Sequence, residues 1–171
     1  MTDDVRRNRT LKILCAVLAL ALVAALAGVV LLWRDRADDH AREDAGIAAE
    51  KAARSAVTRM TTYDYRTVND DFAWVKDAGT AAFQGYFAKV SKDAIAFIKT
   101  VKASATGTIK DSAFVVEDDE HVRVLVFVDQ KITSKDQKNS KTDLPRVTLH
   151  MVLQDGHWLV DQVGINDLLT G

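Results

Sequence analysis

A chain of 171 residues, 48% hydrophobic and 27% charged, can hold one compact domain and an appendage. Its formal charge of −1 gives no basic footprint for tracking phosphates, which sets nucleic acid aside as a partner. The lone cysteine, Cys15, excludes an internal disulfide, so any folded domain must rest on its own core.

Residues 1–12 form a short basic tail in which Arg6, Arg7, Arg9 and Lys12 outnumber Asp3 and Asp4. From Ile13 to Trp33 there are 21 residues without a charge. At about 1.5 Å per residue a helix of that length covers roughly 30 Å, the thickness of a bilayer core. Ala25-Leu26-Ala27 resembles a signal-peptidase site, but cleavage there would leave the apolar end Gly28 to Trp33 where a polar start is normal. Lipoprotein processing would need small residues before Cys15, and Lys12-Ile13-Leu14 stand there. The segment 13–33 therefore reads as a retained transmembrane helix. Four basic residues precede it and two, Arg34 and Arg36, follow closely, so the N-terminus is expected in the cytoplasm. Residues 34–171 are then periplasmic or extracellular, anchored in the inner (plasma) membrane.

Residues 34–60 are rich in Ala, Arg, Glu and Asp and predict a helix. Ala37, Ala41, Ala45, Ala48, Ala52 and Ala56 form a shallow apolar stripe. The helix reads as a stalk that then packs on its own domain; the alternative is a coiled-coil seam with a second subunit, where larger residues are usual. The exported domain proper is expected over 61–171. It opens on "MTTYDYRTVNDD", residues 60–71, dense in tyrosines and carboxylates. Tyr63 and Tyr65 could donate to an oxyanion, with Asp70 or Asp71 as a base. Thr61, Thr62, Asp64, Thr67 and Asn69 are residues of caps and turns, and favour a structural corner built on Tyr63, Asp64 and Tyr65.

Val68, Phe72 and Val75 predict a second helix, with Thr67 as N-cap and Gly79 as its end. Phe83, Phe87, Val90, Ala94, Phe97 and Val101 predict a third whose apolar stripe faces the core and whose Lys89, Lys92, Lys99 and Lys102 face solvent. From Thr106 the chain turns β-rich. Val122, Val124, Val126 and Val128 alternate with Arg123, Leu125, Phe127 and Asp129, as in a half-buried strand. Ser134 to Pro145 is polar throughout and reads as a solvated connection. Asp155-Gly156 between two strand patterns predicts a two-residue hairpin. That turn sets Leu153 opposite Trp158, Met151 opposite Val160, Leu149 opposite Gln162 and Val147 opposite Gly164. On the other face it sets Gln154 opposite His157, Val152 opposite Leu159, His150 opposite Asp161 and Thr148 opposite Val163. Helices followed by consecutive strands make an α+β fold, a curved antiparallel sheet with packed helices.

For chemistry, the four histidines, His40, His121, His150 and His157, show no metal-ligand spacing, and there is no nucleophile elbow or phosphate loop. His150 facing Asp161 is the one pair that could make an oriented general base or line a pocket, and equally an ordinary cross-strand pair. No cofactor is expected, and the chain reads as no enzyme.

With this order of elements the chain resembles the Mce-associated membrane proteins of actinobacteria. The resemblance rests on "TTYDYRT" at 61–67 and "DGHWLVDQV" at 155–163, behind a basic N-terminus, one span and an Ala-rich helix. The loop "AGTAAF" at 78–83 departs from it. The resemblance implies an NTF2-like (cystatin-like) exported domain. It also implies a non-enzymatic accessory role with Mce transporter subunits, permease or Mce-domain proteins, in sterol or fatty-acid import. A lipid-binding module using the hollow of the sheet, and a scaffold like the VirB8-type proteins of type IV secretion, are the alternatives. Homo-oligomerisation stays open. The Ala stripe, the lysine face of the third helix and the 134–145 loop are the surfaces expected to meet partners.

Overall fold

The structure is a computed structural model and describes residues 40–135 and 137–166. The span expected at 13–33 lies outside the described residues, and among the described residues no helix is long and apolar enough to cross a membrane. The unit Arg42–Gly171 holds the sheet and the helices packed on it.

Helix α1 covers residues 40–61. Strand β1 (Tyr63–Asp64) leads to two single-turn helices, α2 (Val68–Asp71) and α3 (Val75–Ala78), and to the long helix α4 (Ala81–Val101). Five strands complete the fold: β2 (Ser104–Val116), β3 (His121–Ser134), β4 (Gln137–Asp143), β5 (Arg146–Gln154) and β6 (His157–Asn166). They form one antiparallel sheet in the order β1-β2-β3-β5-β6, with β4 on β3. The expected α+β arrangement with a curved antiparallel sheet is found.

Alternation decides the core. Val122, Val124, Val126 and Val128 of β3, Val147, Leu149 and Met151 of β5, and Val160 of β6 are all buried on one face. Ala49, Ala53, Ala56 and Val57 of α1 close over them. Small side chains on α1 let the helix approach the sheet closely. Gly46 shows how closely, since a Cβ there would collide with the Phe114 ring. The stalk helix therefore spends its apolar stripe on its own domain, centred on Gly46, Ala49 and Ala53 rather than on Ala41 and Ala48, which are exposed.

The predicted second helix is broken. Phe72–Trp74 form a turn between α2 and α3, and Thr67 makes no capping bond; its hydroxyl donates instead to Asp71 Oδ2 at 3.0 Å. The third helix differs in which residues it buries. Phe83, Ser91 and Ile98 are buried and Phe87 half-buried, whereas Val90 and Phe97 of the predicted stripe are exposed. The polar segment expected as a loop is also different. Gln137–Asp143 pairs with the end of β3, which runs beyond β5. Segments β4 and β5 lie in succession along the same edge of β3, interrupted near Pro145, which has no N–H to give the ladder. With its hydrogen bonds supplied by β3, this segment needs no apolar side chains to be a strand.

Candidate functional site

The Asp155-Gly156 turn forms as the sequence requires, with both residues at positive φ (51° and 77°). From there Gln154 pairs with His157, Leu153 with Trp158, Val152 with Leu159 and Met151 with Val160, all as expected. Then a β-bulge intervenes between His150 and Met151, and His150 pairs with Gln162. Asp161 is the extra residue. The pairs expected beyond it are corrected in the same step: Leu149 meets Val163, Thr148 meets Gly164 and Val147 meets Ile165.

The bulge separates the one pair that could have been a general base. His150, between the buried Leu149 and Met151, points to the outer face, with Arg123 and Gln162 as cross-strand neighbours. Asp161 turns to the helix layer, where its Oδ1 accepts a hydrogen bond from Thr80 Oγ1 at 2.9 Å. That hydroxyl also accepts from Phe83 N at 3.1 Å, capping α4. Thr80 N donates to Val160 O at 2.9 Å, fixing the helix start against β6. Gly79 permits this approach, because a Cβ there would lie 2.8 Å from Phe83 Cδ1 and 2.9 Å from Val75 O. Asp161 thus anchors a helix. Thr80, the residue that makes this joint, is absent from the sequence-based expectations, although a threonine just ahead of an apolar period is an N-cap signal.

The 60–71 corner is tied by carboxylates. Asp64 accepts from Arg66 Nε at 2.7 Å, Nη2 at 2.9 Å and the Arg66 backbone N–H at 2.9 Å, and from Ser104 Oγ at 2.9 Å. The Arg66 side chain, then its backbone N–H, hold the Asp64 carboxyl well below the usual carboxylate range. Asp71 Oδ2 accepts from Asp64 N at 2.9 Å, joining α2 to β1. The Tyr63 ring meets Phe72 edge-on with centroids 5.8 Å apart, and burial pushes its phenol up. Tyr63 and Tyr65 pack against a small second core of Val68, Ile98 and Ala103. A carboxyl locked in its ionised form and a phenol made harder to ionise are poor proton carriers.

Among the described residues, side chains of the helices pack into the hollow of the sheet. Trp74 and Phe83 reach into the main core with the β3 and β5 side chains, and Phe72, Trp74, Phe83 and Phe87 stack as a continuous aromatic run with centroids 5.7 to 6.3 Å apart. Among the described residues, two open spaces lie along α4 and another, of about 350 Å³, lies on α1 beside Ile47, Glu50, Lys51 and Arg54. A cavity of about 320 Å³ separates α4 from α2 and α3, lined among others by Phe72, Val75, Phe87 and Ile95. Another of about 360 Å³ lies between the start of α4 and β6, lined by Ala82, Phe83, Tyr86, Asp161, Gln162 and Val163. Among the described residues no group of three or more His, Cys, Asp or Glu comes together in a way that could hold a metal.

The chain is similar, at low identity, to several other proteins. The chain is 27% identical over 158 residues to the uncharacterized protein Rv1362c of Mycobacterium tuberculosis, covering 91% of this chain and 72% of that one. It is 29% identical over 148 residues to the outer membrane protein Rv1973 of the same organism, covering 84% and 89%. Among solved structures, it is similar to CagV, a VirB8 homolog of the type IV secretion system from Helicobacter pylori. There the TM-score is 0.55 at 17% identity, over 70% of this chain and 99% of that one. An IcmL-like type IV secretion system protein from Legionella pneumophila gives 0.56 at 11% identity, over 71% and 92%. These likenesses establish a shared α+β fold. Matched over residues 9–163, the chain belongs to the family described as uncharacterized protein Rv1363c/MT1408-like.

Proposed function

We propose that this protein is a non-enzymatic scaffold of the cell envelope, an accessory subunit that stabilises or assembles an Mce-type importer of sterols or fatty acids. One observation carries the reading: the hollow where a sheet of this shape would hold a ligand is occupied by the protein's own Val124, Val126, Leu149, Met151, Trp74 and Phe83. A domain packed in this way works through its surface. The uncharged run 13–33 supplies a single-pass anchor, with residues 1–12 cytoplasmic and the folded domain outside. The name of the outer membrane relative supports an envelope location. Tyr63, Asp64 and Tyr65 serve as a structural corner, and the Asp155-Gly156 hairpin with Trp158 closes the sheet. The Mce assignment itself rests on the resemblance carried by "TTYDYRT" and "DGHWLVDQV".

A second reading is a VirB8-type secretion scaffold, which the shared fold favours. A lipid carrier is a second alternative, disfavoured because the main core among the described residues is packed by the protein's own side chains. The test is crosslinking in native membranes before extraction of the full-length protein, followed by mass spectrometry of its partners. Mce permease or Mce-domain subunits support the importer reading, and secretion-channel subunits move the protein to the second class. A clean deletion that leaves importer subunit levels and sterol and fatty-acid uptake unchanged would sink the importer role.

A further inference from the structure

Helix α4 carries more apolar surface than its own domain covers. Tyr86 is 61% exposed, Val90 46% and Phe97 66%. At 100° per residue these three fall within about 40° of one another, on a face centred about 100° round the helix from the half-buried Phe87 and the buried Ser91 and Ile98, with the buried Phe83 at its inner edge. Thr100 and Asp93 continue the face, so that Tyr86, Val90, Asp93, Phe97 and Thr100 follow the 4-3-4-3 spacing of a helix–helix seam.

We propose that this face is a self-association surface on which α4 packs antiparallel against α4 of a second copy of the chain. Three features on the surface fit a two-fold axis. First, the four central seam positions, Tyr86, Val90, Asp93 and Phe97, are symmetric about the point between Ser91 and Lys92. An antiparallel partner in that register sets Tyr86 of one copy against Phe97 of the other, and Val90 near the centre against Asp93. Second, the ends differ in a complementary way. Phe97 projects as a knob, while Tyr86 borders the cavity of about 360 Å³ between α4 and β6. Knob and cavity lie 11 residues apart on one helix, about 16 Å, so the two-fold seats each Phe97 at the other copy's cavity in the same step. Third, the charges match. Asp93 would be costly against a lipid surface, but the antiparallel register brings Lys89 of the partner copy beside it. A parallel arrangement would instead stack Asp93 on Asp93 and leave both cavities without a knob.

The proposal rests on the α4 surface alone and holds for either envelope system. It is tested on the full-length protein in native membranes, in a Cys15→Ser background. Tyr86→Cys and Phe97→Cys are placed on differently tagged copies and expressed together. Mild oxidation is expected to give a mixed disulfide dimer, with far less when either variant is expressed alone. Predominant Tyr86–Tyr86 or Phe97–Phe97 crosslinks would overturn the antiparallel register. A charge exchange guards against misfolded variants. Lys89→Glu alone should raise the dimer dissociation constant about tenfold or more, measured by sedimentation in detergent. Lys89→Glu with Asp93→Lys should restore it. Failure of the double exchange to restore dimers, a monomeric wild-type protein, a single foreign protein crosslinked at position 97 in place of the second copy, or binding of this face to anionic vesicles as a monomer would each refute the proposal.

Discussion

Replacing Thr80 by Val keeps its shape and removes one hydroxyl that makes two bonds. It would leave Phe83 N without its cap acceptor and Asp161 Oδ1 without its donor. Loss of a Thr N-cap costs about 1 kcal/mol, within a range of roughly 0.5–2. A hydrogen bond to a carboxylate adds about 1.5–3 kcal/mol when buried, less here because Asp161 is half-buried and water can replace the hydroxyl. Thr80 itself is only 4% exposed, so the unpaired Phe83 N–H gains little from solvent. The sum is about 2 kcal/mol, or a fall in Tm of roughly 4–8 °C for a chain of this size. Circular dichroism melts and urea unfolding of the full-length protein in detergent measure it. A double-mutant cycle with Asp161→Asn should show coupling of about 0.5–1.5 kcal/mol, whereas His150→Ala with Asp161→Asn should be additive within about 0.5 kcal/mol. A loss under about 0.5 kcal/mol for Thr80→Val, or strong coupling between His150 and Asp161, would refute the assignment of Asp161 to the helix start.

Leu149→Ala, at a side chain 1% exposed in the centre of the sheet, should destabilise by about 2–5 kcal/mol in urea unfolding. Gly46→Ala tests close packing against helix propensity. Propensity alone favours Ala by about 1 kcal/mol, but the collision with Phe114 should reverse the sign to a net loss, visible as a lower Tm. For pH, the folded Asp64 carboxyl is depressed below its unfolded value by Arg66, so its contribution is present above the unfolded pKa, about 3.9, and is lost as pH falls through the folded value. Asp64→Asn should therefore flatten the acid-unfolding curve below about pH 4. His121 runs the other way. Asp118, 2.8 Å from Nδ1, raises its pKa, so the contribution is present below about pH 6.5 and fades as pH rises through the raised value. A titration of its ring protons by NMR should show the midpoint falling in Asp118→Asn.

Much of the fold was legible in the chain because it is written locally. Asp155-Gly156 demands positive φ at two successive residues, and few turns other than the tight hairpin accept that. The four alternating valines of β3 can bury only one face, and they do. The long apolar period after Gly79 had to be a helix. The candidate site was less legible. Pairing His150 with Asp161 assumed an unbroken ladder, and a bulge adds a residue without any change in composition to announce it. The polar β4 could not be seen either, since its partner is the overhang of β3 and its strand character is supplied by that neighbour's backbone.

Helix α4 marks the boundary between what the sequence by itself determined and what only the tertiary structure decided. Its periodicity determined that a helix forms and that one side is broadly apolar, because 3.6-residue geometry follows from the backbone alone. Phe83 and Phe87 take the inner half of that arc and Val90 and Phe97 the outer half. That division depends on the angle at which the helix leaves β6, set by the contact of Gly79 and Thr80 with Val160 and by the bulge at Asp161. The contact joins residues about eighty positions apart, and no local pattern encodes a rotation fixed by so distant a partner.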